Sequence, residues 1–282
     1  MTPRSRTKGP VEGRPKKPGR PRRVPRFAGR RSGMVSVLMP AYNEGLRIRA
    51  NIGAVDRMMR TLGRPYEIVV VDDGSGDWTF EESRAAAGGT RHIHVKRAEI
   101  NQGKGQALKE AFRICQGEWV VFLDSDLDID PSQLKLFFEI QEREGCDVVI
   151  GSKRHPDSKL HYPTKRKIIS SGYFFLVKLL FQLPLRDTQT GLKLFRREVL
   201  RTVFPRVLVK RYAFDLELLV LAHHFGFRIA EAPVIVEYRG KFGHIGLKAI
   251  FNIWWDTMAV FYRLKVKHYY DQSRFPQPEH RP

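Results

Sequence analysis

Four aspartates, Asp124, Asp126, Asp128 and Asp130, occupy alternate positions directly after an apolar run at 120–123, in VVFLDSDLDIDP. The chain has 282 residues and a formal net charge of +20. Negative charge gathered in one turn therefore runs against the trend of the whole sequence. Carboxylates at alternate positions past a strand can converge on one cation, and oxygen-only ligands suit Mg²⁺ or Mn²⁺ rather than zinc. Mg²⁺ typically takes one or two carboxylates and completes its shell with phosphate oxygens. A turn built on Asp124 and Asp126 would thus hold a metal–diphosphate complex, which accounts for negative charge at an anion site. Asp130 precedes Pro131, and the pair reads as the cap of the next helix.

Such a turn needs a frame. Residues 35–39, 67–71, 120–123 and 148–150 are short apolar runs rich in β-branched residues. Helical patterns lie between them, at roughly 46–62, 106–115 and 132–144. Continuous apolar strands alternating with helices predict an α/β fold, a mainly parallel sheet with helices on both faces. Ligands of such sheets bind beyond the carboxyl ends of the strands. The polar clusters PAYNEG, DDGSGD and DSDLD fall at those ends and would line one cleft. Beyond about residue 155, stretch 168–185 is apolar nearly all round, RYAFDLELLVLAHHFGF reads as a helix, and 228–237 reads as one strand. Stretch 245–264 mixes Ile250, Trp254, Trp255, Phe261 and Tyr262 with Lys248, Asp256 and Arg263. That mixture suits a helix lying in a membrane interface; the alternative is a helix packed on the domain's own core.

Composition narrows the classes further. Residues 1–33 carry 12 Lys and Arg, one acid (Glu12) and six prolines, the signature of a disordered basic tail attracted to an anionic surface or merely solvated. Cys115 and Cys146 lack CxxC spacing, so neither a disulfide framework nor a zinc site is expected. No apolar segment follows the basic N-terminus, and no run of about 18 uncharged apolar residues occurs, so neither a secretory signal nor a spanning helix is expected. NQGKGQA fails as a P-loop, because Ala98 stands at the first glycine position and Gly105 at the Ser/Thr position. His92 and His94 have no third ligand nearby, and adjacent His223 and His224 diverge on a helix.

VSVLMPAYNEG, EIVVVDDGSGDWT, NQGKGQALKEAF, GEWVVFLDSDLDIDP and VVIGSKR occur in this order. Together they resemble the nucleotide-sugar domain of family 2 glycosyltransferases, which have the GT-A fold. RDTQTGLKLFRREVL and RYAFDLELLVLAHHFGFRIAEAPV resemble the polyprenyl-phosphate branch of that family, particularly the dolichyl-phosphate β-glucosyltransferases, with the mannosyltransferases as near relatives. The resemblance runs from about Met34 to Arg239. It implies that Pro40, Tyr42 and Glu44 shape the base and ribose pocket, and that Asp72 and Asp73 contact the nucleoside. Lys104 and Gly105, after Gly103, would let backbone approach the nucleotide. Asp124 and Asp126 would bind metal and diphosphate, Asp126 as the catalytic ligand. Lys153 or Arg154 would pair with phosphate. Arg166 and Ser170, with Arg239, would face the lipid phosphate. Asp187, Gln189 and Gly191 would border the sugar, with Asp215 and Glu217 nearby.

The sequence departs from the branch at two places. Asp128 stands where the mannosyltransferases carry Gln, so its part as a third metal ligand is open. YRGKFGHIG has Arg239, Lys241 and His244 but no Ser-Lys pair. The organisation expected is a basic tail at 1–33, a GT-A domain at 34–240, and a C-terminal amphipathic helix and tail at 241–282. The function implied is inverting transfer of a hexose from UDP-glucose or GDP-mannose to a polyprenyl or dolichyl phosphate. The enzyme would be peripheral on the cytoplasmic face of a membrane, on an anionic surface. A phosphate monoester, with a second pKa near ~6, arrives already ionised and needs no strong base. A sugar hydroxyl would need one, and Asp215 is the candidate. The alternatives are a soluble family 2 transferase acting on a carbohydrate hydroxyl and a nucleic-acid-binding protein. The latter is disfavoured because about half the net charge lies in the tail and no nucleic-acid module is recognisable.

Overall fold

A computed structural model describes residues 33–160, 164–211, 213–237, 247–272 and 275, with only the backbone of 164–171 and 247–250. The tail expected at 1–33 lies outside these residues, apart from Gly33. Seven strands form the main sheet in the order β3-β2-β1-β4-β7-β5-β8. They are β1 Val35–Ala41, β2 Tyr66–Asp72, β3 Ile93–Arg97, β4 Trp119–Phe122, β5 Val148–Ser152, β7 Lys193–Arg196 and β8 Ile229–Pro233. β1 pairs in parallel with β2 and β4, β2 with β3, and β5 with β8.

Strand alternation divides the core into two layers. Val35, Val37 and Met39 of β1 and Val121 of β4 face α1 (Ile48–Thr61) and α4 (Leu134–Glu144). Leu38, Val120 and Phe122 face the opposite layer, which holds α3 (Lys104–Ile114), α6 (Arg197–Val203) and α7 (Phe214–His224). Both faces are therefore covered, as the apolar runs require.

Two features differ from the sequence expectation. β7 is antiparallel and inserted between β4 and β5, so the sheet is parallel on either side of one reversed strand. Its four residues, KLFR, are too few for a periodicity signal. The single strand expected at 228–237 is two strands. β8 stays in the main sheet, while β9 (Ile235–Val236) pairs with β6 (Lys159–Leu160) in a small separate sheet. Between them the Val234 N–H donates to the Ser158 hydroxyl at 2.9 Å, which takes the chain out of the main ladder.

The C-terminal segment joins the core through α8 (Leu247–Phe261) and the turns after it. Val260, Leu264 and Tyr270 are buried beside α7, and the Tyr173 hydroxyl on α5 (Thr164–Phe181) lies 3.2 Å from Thr257 Oγ1 on α8. Outward from this contact stand Phe175 and Leu179 of α5 and Phe251, Trp254 and Trp255 of α8, all exposed. Among the described residues no helix is long and apolar enough to cross a membrane.

Candidate active site

The acidic turn continues β4 past its end. Burial alternates along it: Leu123, Ser125, Leu127 and Ile129 are buried, and Asp124, Asp126 and Asp128 are only partly so. The apolar residues anchor the turn and leave the acids along a cleft that Lys153, Gln189 and Gly191 complete. Leu127 adopts φ 52, a conformation a branched side chain rarely accepts. Asn51 on α1 pins the turn by donating to Ser125 O at 2.7 Å, and the Asp128 N–H donates to Asp126 Oδ1 at 3.2 Å. Burial first, then the charges of Asp124 and Asp128, push the Asp126 carboxyl up to about 6. The turn thus holds more negative charge than its surroundings balance. Asp130 caps the following 3-10 turn by accepting from Ser132 N at 2.9 Å.

Oxygen-only donors with surplus negative charge fit a hard divalent cation. Among the described residues no three His, Cys, Asp or Glu side chains form a cluster that would hold one unaided. Asp124 and Asp126 would therefore share a cation with a ligand's oxygens. A Cβ at 191 would meet the Asp124 carboxylate, so glycine here leaves that side chain in its present position.

Facing this turn is a set of paired charges. Gly103, with φ 98, turns the chain into α3, and the Gly105 N–H donates to Lys210 O at 3.0 Å. This contact seats Lys104 between two carboxylates. Its Nζ lies 2.7 Å from Asp124 Oδ1 and 3.7 Å from Asp215 Oδ2. Lys193 of β7, fully buried, donates to Asp215 Oδ1 at 2.8 Å and to the Thr190 carbonyl. Burial works against the charge on Asp215, but Lys104 and Lys193 outweigh it and hold the carboxyl below its ordinary range.

The loops after β1 and β2 are stitched together. Asn43 N donates to Ser75 Oγ at 2.9 Å, Glu44 N to Thr79 Oγ1 at 2.7 Å, and Gly45 N to Asp77 Oδ2 at 3.0 Å. Pro40, Tyr42 and Glu44 lie on this rim, with Tyr42 half exposed. Burial raises the Glu44 carboxyl, opposed by the Arg47 charge and aided by those of Asp77 and Asp128. Asp73 accepts from Gln102 N at 3.0 Å and Gly103 N at 2.7 Å, so both its oxygens hold the turn that presents Lys104. Asp72 is fully buried and accepts from Ser75 N at 3.0 Å. Its other oxygen, Oδ2, has no hydrogen-bond partner and sits 3.4 Å from Arg97 Nε.

Asp187 likewise turns to backbone, accepting from Lys153 N at 3.0 Å and Gln189 N at 2.9 Å. It shapes the loop that brings Gln189 and Gly191 to the cleft. Of the two candidate phosphate partners, Lys153 lines the cleft, whereas the Arg154 guanidinium lies over the Phe174 ring at 4.8 Å. Glu217 does not join the cleft. It is fully buried and accepts from Leu208 N, Val209 N, Arg263 and Tyr270, because residues two apart on a helix face different ways. Arg166 and Ser170 fall in the stretch of α5 where only the backbone is described, and Arg239 lies outside the described residues.

Sequence reasoning missed Lys193. Its signal was a lysine between Leu192 and Leu194 in a short apolar strand, since lysine is almost never fully buried without a partner.

Residues 36–204 match the family model described as Glycosyl transferase family 2. Glycosyltransferase AglD of Haloferax volcanii is 33% identical over 208 residues, covering 73% of this chain and 33% of that protein. Dolichyl-phosphate beta-glucosyltransferase of Dictyostelium discoideum is 32% identical over 216 residues, covering 71% of this chain and 65% of that protein. The chain thus spans less than two thirds of these relatives' length. Among solved structures, glucosyl-3-phosphoglycerate synthase from Mycobacterium tuberculosis, in complex with Mn²⁺, uridine-diphosphate and phosphoglyceric acid, superposes with TM-score 0.64 at 21% identity. The match covers 82% of this chain and 78% of that one. Mannosyl-3-phosphoglycerate synthase from Rubrobacter xylanophilus gives TM-score 0.64 at 17% identity, covering 86% and 77%. At these identities the likeness concerns the fold, and it agrees with the GT-A expectation.

Proposed function

We propose that this chain, which belongs to glycosyl transferase family 2, moves a hexose from a nucleotide-diphosphate sugar to a polyprenyl phosphate at a membrane surface. The observation that carries this reading is the contrast between two carboxylates. Asp126 sits in surplus negative charge, suited to a cation–diphosphate. Asp215, which a hydroxyl acceptor would need as base, is held by Lys104 and Lys193. A carboxylate stabilised by two ammonium groups accepts a proton poorly. The acceptor must then arrive ionised, as a phosphate monoester does at neutral pH. The names of the Dictyostelium and Drosophila relatives, both dolichyl-phosphate beta-glucosyltransferases, support the same acceptor.

In this reading Asp124 and Asp126 would hold Mg²⁺ or Mn²⁺, which would supply positive charge opposite the leaving nucleoside diphosphate. The rim of Pro40, Tyr42 and Glu44 takes the nucleoside, and Lys153 meets a phosphate from the far side of the cleft. Asp72, Asp73 and Asp187 act by shaping the loops that present these groups. The acceptor oxygen attacks the anomeric carbon opposite the departing diphosphate, which inverts it. Arg166, Ser170 and Arg239 are proposed for the lipid phosphate. The exposed aromatic residues of α5 and α8, with Lys178, Lys265 and Lys267 also exposed, would sit in the cytoplasmic leaflet of the membrane, with the basic tail attracted to anionic lipid.

The test is a donor screen in detergent with dolichyl phosphate and Mg²⁺ or Mn²⁺, using labelled UDP-glucose and GDP-mannose. The expected product is a solvent-extractable lipid-phosphate sugar formed from one donor. Transfer to a soluble carbohydrate with none to the lipid would overturn the acceptor.

A further inference from the structure

Lys104 is an unusual residue for its place. It opens α3, where a cation opposes the helix dipole. Its side chain is only 30% exposed, and its ammonium reaches two carboxylates from different elements, Asp124 at 2.7 Å and Asp215 at 3.7 Å. The backbone around it is fixed from three sides. Asp73 grips Gln102 N and Gly103 N, Gly105 N is bonded to Lys210 O, and Gly103 holds a left-handed φ of 98. Asp215, the more distant carboxylate, is already anchored by Lys193 at 2.8 Å.

We infer that Lys104 is the built-in counter-ion of Asp124, and that it cedes Asp124 to an arriving metal–nucleotide complex by shifting its ammonium toward Asp215. The inference rests on the reading above, in which Asp124 is a metal ligand. The shift is short, because the same ammonium already stands within 4 Å of both carboxylates. Without nucleotide, a divalent ion must compete with an ammonium for Asp124. A metal–diphosphate complex instead brings oxygens that take up the released positive charge. Metal and nucleotide therefore strengthen each other's binding, and by linkage each does so by the same factor. The arrangement keeps the empty cleft from collecting free divalent ions.

The test is Mn²⁺ binding followed by electron paramagnetic resonance, with and without UDP, on the full chain carrying Lys104→Met, Lys104→Arg or Asp124→Asn. The wild type is expected to bind free Mn²⁺ weakly and to gain strongly on adding UDP. Lys104→Met removes the competing ammonium. It should bind free Mn²⁺ about tenfold more tightly, within the usual range of such couplings, and gain much less from UDP. Lys104→Arg retains a cation and should resemble the wild type. Lys104→Gln, similar in length and neutral, repeats the measurement if the methionine variant does not fold. Free Mn²⁺ binding by the neutral variants within about twofold of wild type, with Asp124→Asn impaired, would overturn this inference alone. Unchanged Mn²⁺–UDP binding by Asp124→Asn would overturn the metal assignment of Asp124 itself, and the inference with it.

Discussion

The acidic turn after β4 and the start of α7 each place a carboxylate beside Lys104, yet they are built on opposite terms. Asp215 is nearly enclosed, and each of its oxygens faces an ammonium. Asp126 lies among acids, and its carboxyl is pushed up to about 6. A protein can afford the first arrangement without a ligand, since its charges cancel internally. The second is stable only at a cost, and that cost is the ground on which a cation is proposed there. The difference separates architecture from binding: a balanced carboxylate shapes the cleft, and an unbalanced one serves it.

The comparison can be broken most severely at Asp215. Asp215→Asn leaves the fully buried Lys193 ammonium facing a neutral side chain, while Lys104 keeps Asp124 as its partner. Removing one partner of a buried ion pair typically costs about 3–5 kcal/mol, which for a chain of this size lowers the melting temperature by roughly 10 °C. Calorimetry of the purified variant checks this, and a melt equal to wild type would show that Lys193 is balanced elsewhere.

Asp126→Asn should act on the chemistry instead. Turnover is expected to fall at least about a hundredfold, as when one electrostatic stabiliser of a transition state is lost, while the fold persists. Steady-state rates at saturating metal decide it; near-normal turnover removes Asp126 from the ligand set. A smaller effect is expected at Gly191→Ala, whose methyl would push against the Asp124 carboxylate. Mn²⁺–UDP affinity should drop about tenfold, with a modest change in melting, in line with the 1–3 kcal/mol typical of an overpacked site. Titration calorimetry reads this, and unchanged affinity would mean that the loop at 187–191 yields freely. The smallest effect on chemistry is expected from deleting residues 1–33, which supply none of the residues of either region. Turnover in detergent should be unchanged, while binding to anionic liposomes should weaken at low salt. Liposome sedimentation across a salt series measures the latter.

Much of this frame was legible in the sequence. The apolar runs located β1, β2, β4 and β5, and the polar clusters after them do meet at one end of the sheet. Alternation within DSDLDID also foretold which side chains face the cleft. What the sequence could not show was the direction of each carboxylate. Asp73 and Asp187 look like ligand-facing acids in a motif. In the fold their oxygens are occupied by backbone N–H groups of Gln102, Gly103, Lys153 and Gln189. Gln102, Gly103 and Lys153 come from loops about 30 residues away, a meeting that no local pattern encodes; only the Gln189 contact is local. Glu217 failed for a simpler reason, since a position two residues from Asp215 on a helix turns to another face. β7 escaped because a four-residue strand between a loop and a helix carries no period, although its buried lysine was the one odd residue that could have drawn notice.

Thermal unfolding of wild type and Asp126→Asn in EDTA, from pH 4 to pH 8, tests the central contrast most directly. A carboxyl raised to about 6 from its usual 3.8 binds its proton more tightly folded than unfolded. Its contribution is therefore favourable at low pH and is lost as pH rises through about 6. The loss is on the order of 3 kcal/mol. The account predicts that the metal-free Asn variant melts several degrees above wild type at pH 8, and that this advantage shrinks toward pH 4. An Asn variant that melts below wild type at pH 8 would contradict the claim that the acidic turn carries unbalanced charge.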